Sequence, residues 1–246
     1  MNTLIRALGV ALLAACAFAP VARANVLIGG TRVILPAKDG EVTVRLTNDN
    51  PTPALVQAWI DRGDPQSTPD SVDTPFLITP PMFRMEPKRD QSLRILHTRE
   101  PLPADRETLF WLNVLEVPPK PAELEAGNKN YLQLALRSRL KLFFRPDGLK
   151  SDPLKAPTEL TFHLVAGSEG AQLLVKNPTP YHVTLSEVTV DARGKSLIAE
   201  PGMVVPMGEL RLNVPGLSNA AAGASVRYAV INDFGGGDAY TGAIAP

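Results

Sequence analysis

Residues 131–146 read YLQLALRSRLKLFFRP, and this segment most constrains the fold. Leu132, Leu134, Leu136, Leu140 and Leu142 occupy one parity, while Gln133, Arg137, Arg139 and Lys141 occupy the other. Successive side chains point to opposite faces only in an extended chain, so the pattern is that of a strand with one apolar and one cationic face. At about 3.3 Å per residue the ridge from Leu132 to Leu140 is about 26 Å long, more than a turn or short edge requires. Two uses compete for such a ridge. It can be half of the chain's own sandwich sheet, or it can be offered to another polypeptide.

The same period of two recurs along the chain. It is clean over 41–47 (EVTVRLT) and present over 54–60, 91–97 and 109–116. Turn-forming clusters separate these runs: Asn48-Asp49-Asn50-Pro51, Gly63-Asp64-Pro65, Glu86-Pro87 and Pro118-Pro119. With 24 prolines in 246 residues, long helices have little room. Short alternating runs at this spacing predict an all-β chain of immunoglobulin-like sandwiches. A polar, proline-bearing connector over 147–157 precedes a second set of runs at 160–165, 171–175, 182–190, 203–206, 210–214 and 225–231. The expected organisation is therefore a leader at 1–24, a first domain at 25–147 and a second at 148–246. Two sandwiches on a short linker give an angled molecule with a cleft between them.

The leader is read from Arg6, the apolar run 7–19, Pro20 and the small-residue pattern Ala22-Arg23-Ala24. The run is too short to span a bilayer, and no later segment is apolar enough, so no membrane insertion is expected. A rival reading takes Leu13-Ala14-Ala15-Cys16 as a lipoprotein box with Cys16 lipidated. Cleavage after Ala24 leaves 222 residues and removes Arg6 and Arg23, taking the cations from 25 to 23 against 25 acids. That near balance points to no nucleic-acid partner. Cys16 is the only cysteine, so the mature chain has no disulfide and no thiol chemistry, and its cores must hold it together. An export signal of bacterial type places it in the periplasm.

Chemistry-bearing constellations are absent from the sequence. His97, His163 and His182 are scattered singly without metal-ligand spacing. Gly235-Gly236-Gly237 lacks the helix that would make it a phosphate cradle and reads as a hairpin turn. No enzyme activity, no metal and no cofactor are expected.

Several motifs together resemble the PapD-like periplasmic pilus chaperones of the chaperone-usher pathway. They are Gln57-Ala58-Trp59-Ile60, Thr79-Pro80-Pro81, Arg84-Met85-Glu86-Pro87, Leu109-Phe110-Trp111-Leu112-Asn113, Lys141-Leu142-Phe143-Phe144-Arg145-Pro146, Asn177-Pro178-Thr179-Pro180-Tyr181 and Ile231-Asn232-Asp233-Phe234-Gly235-Gly236. The likeness runs in order through both halves. It implies a chaperone that lends the last strand of its first domain to pilus subunits lacking their own last strand, and delivers them to an outer-membrane usher. Leu132, Leu134 and Leu136 match the donor positions. Arg32 and Lys141 match the cation pair that grips the subunit's C-terminal carboxylate. Glu107, Arg145 and Asp233 match a charge network linking the two domains. Gly29-Gly30 and the basic Arg137 and Arg139 depart from the pattern and bear on which subunit is the client. A second copy of the chain is a further possible occupant of the ridge.

Parity raises one question, because Lys141 lies on the face opposite Leu136 unless a bulge intervenes. Two other classes stay open on the residues alone. One is a secreted two-domain adhesin or ligand-binding module, with the leucine ridge buried in its own fold; the other is a periplasmic hydrolase.

Overall fold

The computed structural model describes residues 26–120, 133–167, 170–217 and 223–245. The expected leader 1–24, with Cys16, and the donor position Leu132 lie outside the described residues.

Two all-β sandwiches follow one another along the chain. The first contains β1 (Val26–Ile28), β2 (Arg32–Pro36), β3 (Glu41–Asn48), β4 (Ala54–Asp61), β5 (Phe76–Thr79), β6 (Met82–Met85), β7 (Asp90–His97), β8 (Thr108–Val117) and β9 (Leu136–Arg145). One sheet runs β1-β3-β7-β5 and the facing sheet β2-β9-β8-β4-β6. Alternation supplies the core between them. Val44, Leu46, Leu93 and Ile95 from one sheet pack with Val56, Phe110, Leu112 and Leu142 from the other, all buried in one cluster.

The first strand is divided between the two sheets. β1 pairs antiparallel with β3, whereas β2 pairs parallel with β9. Gly30, between them, sits at φ +133°, a conformation that side-chain-bearing residues rarely adopt, so glycine is required where the chain changes sheets. The crossing sets Arg32 directly opposite Lys141.

The second sandwich contains β10 (Thr161–Gly167), β11 (Gly170–Asn177), β12 (Val183–Ala192), β13 (Lys195–Ala199), β14 (Gly202–Val204), β15 (Gly208–Asn213), β16 (Ser225–Ile231) and β17 (Gly237–Ala245). β17 pairs antiparallel with β16 and parallel with β10, joining the two layers into one curled sheet of order β13-β12-β16-β17-β10-β11-β15, with β14 also on β12. Phe162, Leu173, Val175, Leu185, Val190 and Val226 fill its centre. The connector is pinned to this sandwich by the hydroxyls of Tyr181 and Tyr228, which donate to the carbonyls of Ser151 (3.1 Å) and Pro157 (2.8 Å).

A buried asparagine closes the corresponding strand in each sandwich. Asn48, at the end of β3, donates to the carbonyls of Thr52, Met85 and Glu86. Asn177, at the end of β11, donates to those of Tyr181 and Val205. In each case a short amide side chain satisfies carbonyls that the proline-rich turn leaves without strand partners.

Candidate functional site

The leucine ridge is divided by the fold. Leu140 and Leu142 enter the first sandwich's own core, with Leu140 only 7% exposed. Leu136 is 54% exposed and Leu134 68% exposed. Regular strand begins at Leu136, so residues 133–135 precede it as coil, a shorter element than the expected 131–144. The pairing of β8 and β9 ends at Glu116 opposite Leu136, and β8 itself ends at Val117. Pro118 and Pro119 follow, and proline has no N–H with which to continue a ladder.

On its other edge β9 is paired with β2 only from Lys141 to Arg145. Among the described residues, 136–140 therefore keep one edge without a strand partner, beside the exposed Leu134 and Leu136. An unpaired edge next to apolar side chains is a template for strand addition.

Arg32 and Lys141 stand side by side where this free edge ends, both turned toward the second sandwich. Lys141 Nζ donates to Thr184 Oγ1 of β12 at 3.1 Å, and Arg32 Nη1 donates to the carbonyl of Ile231 at the end of β16 at 2.7 Å. Neither has a carboxylate within ion-pair distance among the described residues, and the buried Arg32 Nε has no hydrogen-bond acceptor. Burial, and then the neighbouring Arg32 charge, push the Lys141 ammonium down to about 8. Burial likewise lowers Arg32, opposed by the fields of Asp233 and Glu107. Two desolvated cations with unused donors are chemically suited to an anion, and a carboxylate offers the two oxygens such a pair can share. The parity question is settled by register. β8 and β9 pair without a shift from Leu136 to Phe144, so there is no bulge and Lys141 faces away from Leu136 into the cleft.

Glu107, Arg145 and Asp233 are brought together. Arg145 Nε donates to Glu107 Oε1 at 2.8 Å, and its Nη1 and Nη2 donate to Asp233 at 2.7 and 3.0 Å. Glu107 also accepts from the backbone N–H of His182 at 2.8 Å, and the His182 ring packs on Phe143 at 5.2 Å between centroids. The carboxylates come from opposite sandwiches, with Arg145 from the end of β9 between them.

Arg137 and Arg139 are engaged within the first sandwich itself. They lie on the outer face of their own sheet, held by Asp61, Asn113 and Ser67 and stacked on Trp59 and Trp111. Sequence reading missed this arrangement; the alternating Trp59-x-Asp61 and Trp111-x-Asn113 on the two preceding strands were the available signal. His97, His163 and His182 are half-buried, and among the described residues no three His, Cys, Asp or Glu are gathered as a metal site. No helix among them is long and apolar enough to cross a membrane. Gly235–Gly237 belong to the β16–β17 hairpin, with the Asn232 side chain accepting from the backbone of Phe234 and Gly236 at 3.0 Å each.

Comparisons with known proteins agree along the whole described chain. Residues 25–150 match the family described as pili and flagellar-assembly chaperone, PapD N-terminal domain, and residues 155–242 match the PapD C-terminal domain of pili assembly chaperones. The chaperone protein FimB/FhaD of Bordetella pertussis is 47% identical over 247 residues, covering 98% of this chain and 96% of that protein. The fimbrial chaperone YadV of Escherichia coli K12 is 46% identical over 222 residues, 89% of this chain and 90% of that one. A crystal structure of the YadV chaperone is similar at 41% identity and a TM-score of 0.77, over 90% of this chain and 100% of the matched one. A Salmonella enterica structure of the SafA pilin in complex with the SafB chaperone also matches, at 31% identity and a TM-score of 0.72, over 92% of this chain and 99% of the matched one.

Proposed function

This chain belongs to the PapD family of pili assembly chaperones, and on that premise we propose that it caps incomplete pilus subunits by lending them the free half of β9. The observation that carries the reading is a strand that, among the described residues, is paired on one edge only over 136–140, carries exposed Leu134 and Leu136 and ends at two cations with no carboxylate in ion-pair distance. A subunit lacking its last strand has a complementary edge and an apolar groove. Leu136 and Leu134, with Leu132 beyond them, enter that groove, each contributing about 1.5 to 3 kcal/mol before ordering costs. Arg32 and Lys141 hold the subunit's terminal carboxylate and so fix the register, which matters because a one-residue slip turns every leucine away.

The Glu107–Arg145–Asp233 network fixes how the two sandwiches meet, keeping the cation pair in a cleft of constant shape. Release occurs when a strand from the next subunit displaces β9 at an outer-membrane usher, without nucleotide. The protein works in the periplasm after removal of residues 1–24, as domains 25–147 and 148–246, and an unloaded edge is open to a second copy. The family is one of chaperones and not of enzymes, which fits a site that binds by main-chain pairing.

Coexpression with candidate pilin subunits tests the reading. Arg32→Ala and Lys141→Ala abolish recovery of the subunit while the chaperone stays folded, and Leu134→Glu does the same. Normal subunit yield with both cation variants would refute the carboxylate anchor.

A further inference from the structure

The half of β9 that is free for a client is held by a neighbouring strand on one edge only, that of β8. Among the described residues its other edge has no partner strand, and Leu134 and Leu136 are more than half exposed. Its outer face, by contrast, is fastened to a buried polar cluster. Asp61 is 1% exposed and Asn113 is fully buried, on β4 and β8. Asp61 accepts from Arg139 Nη2 (2.6 Å), Asn113 Nδ2 (2.7 Å), Ser67 Oγ (3.0 Å) and the Gly63 backbone (2.6 Å). Arg137 donates from Nε and Nη2 to Asn113 Oδ1 at 2.9 and 2.6 Å, from Nη1 to the carbonyl of Pro65 at 2.9 Å and from Nη2 to Ser67 Oγ at 3.2 Å. The guanidinium of Arg137 lies over Trp59 at 4.8 Å from the ring centroid, and that of Arg139 over Trp111 at 4.5 Å. Trp59 in turn donates to Ser67 at 3.1 Å. The two arginines lie on the parity opposite the donor leucines, so fastening them fixes which face the leucines present.

We infer that Asp61 and Asn113 are positioning residues for donation, holding Arg137 and Arg139 so that residues 136–140 stand extended, with Leu136 presented on the opposite face, before any client arrives. Asp61 itself touches no client. Burying a carboxylate under a loop is costly unless it is multiply bonded, and here the bonds converge on a stretch of strand that, among the described residues, is paired on one edge only. A preformed strand binds without first paying the ordering entropy, so loss of the cluster lowers the fraction of molecules competent to donate.

This inference rests on the strand-lending reading above, and its test separates the two. Hydrogen exchange on the free chaperone needs no client. In Asp61→Asn the β8-directed amides of residues 136–140 exchange about tenfold faster, while those of β12 and β16 are unchanged. With the pilin subunit recovered by coexpression, the rate of capture falls about tenfold and the dissociation rate stays put, because a bound client supplies the missing edge. Arg139→Met shows the same pair of effects, and Arg139→Lys restores most of the capture rate.

Should Asp61→Asn not fold, the double variant Arg137→Met/Arg139→Met, on the partly exposed strand side, gives the same readouts. Exchange over 136–140 that moves only in step with the rest of the first sandwich, or capture within twofold of the parent, overturns the inference. Normal capture by Lys141→Ala and Leu136→Glu would instead overturn the strand-lending reading, leaving the exchange result to stand for the clamp alone.

Discussion

The cation pair makes client binding depend on pH in a range where few other groups titrate. In the free chaperone the Lys141 ammonium is pushed down to about 8 by burial and by Arg32 opposite it. A client carboxylate between the two cations favours the charged form and lifts Lys141 back toward the ordinary lysine value. Binding therefore takes up a proton, about half of one per complex near pH 8, and affinity falls as pH rises past that point. From about pH 7 to about pH 9.5 the protonated fraction of free chaperone drops from about nine-tenths to about one-thirtieth. Affinity should fall about 30-fold, or about 2 kcal/mol.

The sign for stability runs the other way. Folding lowers the affinity of Lys141 for its proton, so the penalty is fully present below about pH 8 and is relieved as pH rises toward the unfolded lysine value. Lys141→Met should thus bind no client yet be about 1 kcal/mol more stable at neutral pH, allowing for solvent screening of a partly exposed group. The assay is titration calorimetry with the recovered subunit in buffers of differing ionisation heat, with Lys141→Arg as the reference that stays charged throughout. A flat affinity profile in the parent, or the same slope in Lys141→Arg, refutes the reasoning.

Two further expectations divide the labour along β9. Leu140→Ala removes a side chain packed in the first core and costs about 2 to 4 kcal/mol by denaturant unfolding, with subunit recovery falling only as stability does. Leu136→Ala, at a half-exposed site, changes stability by less than about 0.5 kcal/mol yet weakens subunit capture about tenfold or more in a binding assay. Arg145→Ala leaves Glu107 buried without its cation and costs about 3 to 5 kcal/mol, and scanning calorimetry should then resolve separate transitions for the two sandwiches.

The fold was legible where alternation was strong. The runs around β3, β4, β7, β8 and β16 each carry a period of two between turn residues, and all appear as strands within one or two residues. β5, β6 and β13 have four or five residues each, too few for a pattern to stand out, and β17 conceals its alternation behind Gly237, Ala239, Gly242 and Ala243. The position of Arg145 between Glu107 and Asp233 was reached through resemblance to a family, because those residues lie far apart in sequence and no local period joins them. The outer-face cluster escaped notice for the same reason, since Asp61, Asn113 and Arg139 meet only across three strands of one sheet.

By itself the sequence determined that a two-faced strand lies within residues 131–144, because side-chain parity is a local property of an extended chain. It could not determine where the ridge stops serving its own core and starts facing outward. That division is set by where β2 begins and where β8 ends, two boundaries fixed by the Gly30 crossing and by Pro118, more than a hundred and about twenty residues from Leu140. Edge and burial are relations between strands, so only the packed sheet could decide which leucines are held and which are free.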